Sequence, residues 1–200
     1  MDRGRSKKME HDPTNDEVNN LMVSDEISKK VKELEDRVAA LEKKDDHLTL
    51  VLFSGDFDKA MAAFIIANGG IAMDMKVTIF ATFWGLDVLK KSSFNTAGRG
   101  FLEKMVLAMR PKGAGKLGTS KMNFGGIGPK LFKFMMKSKN IEQLESLISM
   151  AQDYGVRIIA CQMTVDLMGL KSSDLIDGVE SGGVGAFLAS ASHSNTTLFI

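Results

Sequence analysis

The sequence predicts an α/β fold: three layers, a mostly parallel sheet with helices on both faces, preceded by an N-terminal coiled-coil-like helix. Two observations carry this reading. Short runs rich in β-branched and aromatic residues alternate with stretches of helical spacing, the pattern of βαβ units whose sheet is covered on both faces. Ahead of them, Ile27, Val31, Leu34, Val38 and Leu41 repeat at 4-3-4-3 spacing, a d-a-d-a-d heptad seam.

The elements follow in order. Residues 1–24 are polar and charged, with too few apolar side chains to offset the entropy of ordering, and read as a disordered tail. Residues 25–45 form the heptad helix, with Lys30 and Arg37 at g positions and Glu35 and Glu42 at the following e positions, the charge pairing of a parallel coiled coil. Little more than two heptads is marginal alone. The helix therefore assists an oligomer already formed by the globular part, or folds back on its own domain as an amphipathic helix. Residues 46–200 are the α/β domain. His47–Phe53 reads as a strand, Phe57–Met73 as a long apolar helix, and Lys76–Phe80 as a second strand. A short helix ends near Lys91, and Ile141–Tyr154 is an amphipathic helix stopped by Gly155. Val156–Ala160 is a buried strand with Cys161 as its last residue, and Gln162–Met168 is the helix behind it. A weak extended piece at Asp177–Glu180, a small-residue helix at Gly183–Ala191 and a closing strand at Thr196–Ile200 complete the chain.

Composition narrows the function classes. One cysteine excludes an intrachain disulfide framework and fits a reducing cytoplasm, as does a polar N-terminus without a signal-like apolar run. The greasiest windows, Ala60–Met75 and Val77–Leu86, are interrupted or short of the about 20 apolar residues a span needs, and read as core. The net charge of +1 hides an asymmetry. Between Lys90 and Lys139 stand twelve Lys and Arg against the single Glu103, whereas Asn140–Ile200 carries seven acidic residues against Arg157 and Lys171. A basic block in an otherwise acidic domain points to an anionic partner or a self-docking surface, or else to a solvated insertion. The basic Gly/Met-rich insertion at about 90–139 holds two amphipathic stripes. One is Phe101, Leu102, Met105, Val106 and Met109; the other is Leu131, Phe132, Met135 and Met136. Such adaptable stripes suit a lid or docking face, although packing against the same chain's domain is the commoner outcome.

Several chemistries fail on the residues. Arg110 stands where a Walker A loop ending at Gly115-Lys116 needs its first glycine, and the turn after the first strand lacks a G-x-G-x-x-G run. His11, His47 and His193 are isolated, so no metal is expected, and no G-x-S-x-G elbow is present. No cofactor and no nucleic acid are expected. Cys161 remains, at a strand tip leading into a helix N-terminus, where open α/β folds bind ligands and where the helix dipole favours a thiolate. It is also explained as a small buried hydrophobe. The same sheet edge carries Asp56, placed to position a proton, Trp84, placed to shield a thiolate, and Gln162. Each serves equally as a packing or capping residue.

Leu50–Ala60, Val77–Gly85, Lys121–Lys130 (with Asn123-Phe124-Gly125-Gly126), Ala160–Met163 and Met168-Gly169 together resemble the DsrE/DsrF-like sulfur-relay family, in particular its larger, peroxiredoxin-like-labelled branch. The resemblance runs from about His47 to Ile200. It implies a three-layer α/β domain that forms homo-oligomers. It also implies a cysteine, matched by Cys161, that carries sulfur as a persulfide between rhodanese-like or TusA-like donors and downstream acceptors. On this basis the chain is expected to be a cytoplasmic sulfur carrier or sulfurtransferase. The charge asymmetry and the Asn-Phe-Gly-Gly run add the expectation that Lys90–Lys139 folds over the carboxyl edge of the sheet as a lid or part of a subunit interface, with Asn123-Phe124-Gly125-Gly126 closest to the thiol. A non-catalytic module is the alternative: its basic Met/Phe segment docks an acidic protein or, less favoured, an anionic membrane surface, with Cys161 a core residue. A peroxidase ranks third, since there is no Thr-x-x-Cys pattern and no resolving cysteine.

Overall fold

The computed structural model describes residues 13–42, 46–93 and 98–200, with side chains of the first helix described over 23–39. The chain forms two compact units, divided at Lys43/Lys44.

The first unit is one helix, α1, Pro13–Glu42. It starts well before the expected Asp25, so the segment 13–24 read as disordered is helical, and only residues 1–12 of that tail lie outside the described residues. Pro13 is suited to a first helical position, its missing N–H being no loss there. The seam residues Ile27, Val31, Leu34 and Val38 are about half exposed; the side chains of Leu41 and Glu42 lie outside the described residues.

The second unit is a five-stranded sheet. Its strands are β1 (His47–Leu52), β2 (Lys76–Ala81), β3 (Arg157–Cys161), β4 (Val179–Gly182) and β5 (Thr196–Phe199). They are ordered β4-β3-β2-β1-β5, and every neighbouring pair is parallel. The register sets Leu198, Leu50, Ile79, Ile158 and Val179 in one row across the sheet. That row faces the main core, where α2 (Phe57–Ala72) packs on β1, β2 and α5 (Leu144–Asp153). At Gly70 a Cβ would come within 3.0 Å of both Leu48 and Val77, so the missing side chain lets α2 lie close to the strands.

Side chains alternate across a strand, so Phe80, Ile159 and Cys161 face the other way, against Ala186 and Phe187 of α7 (Val184–Ser192). This face is polar at its amino end. Thr49 bonds Ser190 and Ser194 at 3.1 and 2.6 Å, and the His47 ring reaches Thr78 at 3.0 Å.

The basic stretch forms α3 (Phe101–Met109) and α4 (Ile127–Ser138). Their stripes pack on the domain only in part, with Phe132 and Met136 of α4 turned toward α2. Leu107 and Met136 are buried, but Phe101, Leu102, Met105, Val106, Met109, Leu131, Phe132 and Met135 are exposed. Three of the stretch's twelve cations instead turn inward: Lys90 and Arg110 pair with Asp87, and Arg99 pairs with Asp174, all buried.

Candidate functional site

Cys161 ends β3 and directly precedes α6 (Gln162–Leu167). Its own backbone is extended, and the first turn of α6 presents backbone N–H groups of Met163 and Thr164 to the sulfur. The side chain is 6 % exposed. Burial pushes the thiol up. The hydroxyl and N–H of Thr164, the hydroxyl of Thr82 and the N–H of Met163 outweigh it, and the thiol lies below its ordinary range. Thr82 comes from the residue after β2, beside β3 in the sheet, so adjacent strand tips supply the sulfur and one of its donors. The two threonine hydroxyls are 3.0 Å apart.

The chain after Thr82 is held hard against the sheet end. Phe83 has a left-handed backbone, φ 47°, which costs a non-glycine residue about 1–3 kcal/mol. Its N–H donates to the Thr164 hydroxyl (3.3 Å) and its carbonyl accepts from Arg110 (3.2 Å). At Gly85 a Cβ would sit 2.0 Å from the Leu52 carbonyl oxygen, so only glycine fits this crossing. Arg110 donates from Nε to Asp87 at 3.0 Å, contacts the Met168 sulfur, and lies 5.0 Å from the Trp84 ring centroid in a cation–π contact.

The expected pocket residues divide among three places. Asp56, Trp84 and Asn123 line one open cavity of about 480 Å³ at the carboxyl edge, together with Ser54, Lys59 and Pro111. Asp56 accepts from the Ser54 hydroxyl (2.9 Å) and pairs with Lys59 (2.9 Å). Trp84 is 51 % exposed. Neither Cys161, Gly125 nor Gln162 lines that cavity. Gln162 sits next to the cysteine but is exposed, donating to Asp166 (2.7 Å) and accepting from Ser181. Gly125 is exposed in the turn before α4 with open space around it, its φ of +63° being the reason for glycine there. The expectation that Asn123–Gly126 stands closest to the thiol is therefore corrected: the groups around Cys161 come from β2, α6 and α7. The run lies on the β1 side, where Asn123 shares a cavity with Ser54 and Gly55 and where a Cβ at Gly118, whose carbonyl accepts the Phe57 N–H (2.7 Å), would come within 3.3 Å of the Asn123 amide. Sequence reasoning missed Thr82 and Thr164. The spacing Cys161-x-x-Thr164 at a helix start was the available signal, since a residue three on returns to the cap.

Among the described residues no group of three or more His, Cys, Asp or Glu is placed to hold a metal. No helix among them is long and apolar enough to cross a membrane.

The model of the DsrE/DsrF/DrsH-like family matches residues 44–199, most of the chain and all five strands. The chain belongs to the DsrE/DsrF/DrsH-like family. The chain is 54 % identical over 152 residues to the uncharacterized protein YrkE of Bacillus subtilis, covering 76 % of this chain and 95 % of YrkE. It is 35 % identical over 161 residues to the sulfur carrier protein DsrE2 of Allochromatium vinosum, covering 76 % of this chain and 97 % of DsrE2. Among solved structures, the ychN protein of E. coli superposes with a TM-score of 0.45 at 10 % identity, over 78 % of this chain and 99 % of ychN. MTH1491 of Methanobacterium thermoautotrophicum, a protein of unknown function, gives 0.45 at 15 % identity, over 77 % and 99 %.

Proposed function

We propose that the chain works in a sulfur relay, holding sulfane sulfur as a persulfide on Cys161. The observation that carries the reading is the place of a buried thiol at the tip of β3 and the start of α6, beside the paired Thr82 and Thr164 hydroxyls, a setting that holds it below its ordinary range. Thiolate is the nucleophile in exchange at sulfur. The Cys161 thiolate attacks the terminal sulfur of a donor persulfide, forming Cys161–S–SH and releasing the donor as a thiolate. An acceptor thiolate then attacks that outer sulfur, and Cys161 leaves as thiolate again. Sulfur and electrons balance across the two steps, and no oxidant is required. With one cysteine in the chain, the second thiol belongs to the partner.

The name of DsrE2, a sulfur carrier protein, and the shared family support a relay role. A rhodanese-like or TusA-like protein fits as donor or acceptor, a homo-oligomer as the working form, and a reducing cytoplasm as the compartment. The rival reading, Cys161 as an inert core residue, draws on its 6 % exposure and its packing on Phe80 and Ile159. Intact-mass spectrometry after incubation with a sulfane donor separates the two. The carrier gains about 32 Da, one sulfur as a persulfide, and Cys161→Ser gains nothing. A native protein that stays unmodified, or a Cys161→Ser variant that still loads, removes the assignment.

A further inference from the structure

The outer face of α4 is an apolar stripe where a soluble helix carries polar residues. Pro129 and Met136 point inward and are buried, and Phe132 meets Phe57 of α2 edge-on at 6.3 Å. On the opposite side of the same helix, Ile127, Leu131 and Phe134 recur at i, i+4 and i+7, and all are exposed, Phe134 to 68 %. In the turn leading into α4, Met122 and Phe124, both at positive φ, are exposed as well. Lys130 and Lys137 flank it on the exposed side of the helix. From Lys104 to Asn140 the chain carries nine Lys and Arg and no Asp or Glu. The outward side of α3 repeats the pattern: Phe101, Met105 and Met109 are exposed opposite the buried Leu107.

We infer that the face of α4 formed by Ile127, Leu131 and Phe134 docks on an anionic phospholipid bilayer, lying in the plane of the headgroups. An amphipathic helix with Phe and Leu on one side and lysines beside them binds in this way, the apolar side chains entering about 5–10 Å and the lysines meeting lipid phosphates. Charge opposes one occupant, a second copy in face-to-face register, and the large exposed apolar side chains beside the lysines favour a lipid headgroup layer. A second copy docked face to face through the same stripe sets Lys130 and Lys137 against their own counterparts, a like-charge contact that opposes pairing, whereas an anionic surface neutralises both. No helix among the described residues is long and apolar enough to cross a membrane, so the contact is peripheral.

Flotation of the full chain with phosphatidylglycerol-containing vesicles, against pure phosphatidylcholine vesicles, tests this. The protein floats with the anionic vesicles alone, and release follows added salt. Leu131→Ser/Phe134→Ser lowers the partition coefficient about tenfold or more, given the apolar area withdrawn, and Lys130→Glu/Lys137→Glu lowers it about fivefold or more. Both pairs of positions are on the solvent side, and unchanged circular dichroism and thermal midpoint confirm that the variants fold. Absence of flotation with anionic vesicles overturns the proposal, as does flotation that the Leu131/Phe134 variant retains. If the wild type instead sediments as an oligomer that this variant dissolves, without vesicle binding, the stripe joins copies of the chain and the lipid assignment is wrong.

Discussion

The hydroxyl groups of Thr82 and Thr164, 82 residues apart in sequence, lie 3.0 Å from each other, and both act to hold the Cys161 thiol below its ordinary range. The pair ties the end of β2 to the first turn of α6 at the one thiol of the chain. It also sets the acidity of that thiol, because hydrogen bonds to the charged form favour it.

Replacing Thr164 with Val removes its hydroxyl donor while keeping shape and most of the volume. The pH midpoint of iodoacetamide alkylation at Cys161 then rises, and Thr82→Val raises it less. An unchanged midpoint in both variants means that the threonines do not act on the sulfur.

A second expectation concerns stability against pH. The folded thiol ionises more readily than the unfolded one, so its ionisation stabilises the fold. This contribution is complete above the unfolded value, about 8.5 for a free cysteine, and is lost as pH falls through the lower folded value. Chemical denaturation at about pH 7 and about pH 10, bracketing that reference, should therefore show wild type gaining on Cys161→Ser at the higher pH. A difference that does not change with pH counts against a depressed thiol.

Access to the thiol is limited by α7. Phe187 and Ala186 pack on the small cluster of Phe80, Ile159 and Cys161. A small methanethiosulfonate reagent should label native Cys161 faster than an aromatic disulfide reagent does, and Phe187→Ala should narrow the gap. Equal rates for both reagents in wild type place the sulfur in open solvent.

The buried acid–base pairs should dominate the electrostatic stability. Asp87 is held by Lys90 (2.8 Å) and Arg110 (3.0 Å) at almost complete burial. Arg110→Ala leaves a buried carboxylate with half of its support and should cost about 3–5 kcal/mol in urea titration. Glu180→Gln, which breaks the exposed pair with Arg157 (2.7 Å), should cost about 0–1 kcal/mol. Comparable losses in the two variants contradict this ranking.

For α1, the exposed seam of Ile27, Val31, Leu34 and Val38 predicts a role in self-association. Removing residues 1–43 leaves the compact unit that begins at Lys44. It should keep the thermal transition of that unit while weakening any oligomer seen by sedimentation. An unchanged sedimentation profile assigns α1 no part in assembly.

The layered α/β class, the strand content and the place of Cys161 are all legible in local patterning of the chain. The apolar runs at His47–Leu52, Lys76–Ala81 and Arg157–Cys161 are local and strongly patterned, and the cysteine's position at a strand end follows from them. Tertiary structure decided what surrounds the sulfur. Thr82 reaches it only because β2 lies beside β3 in parallel register, and Phe187 only because alternate side chains turn toward α7. The fate of the basic stretch was also tertiary. Amphipathic spacing at Phe101–Met109 and Ile127–Ser138 states that a helix has an apolar side, and burial alone states whether that side is covered. Here Leu107 and Met136 take the inward positions and leave Phe101, Leu131 and Phe134 outside. Likewise, linear charge counts show a block of cations, while Asp87 and Asp174 draw Arg110 and Arg99 into the core through contacts that span 23 and 75 residues.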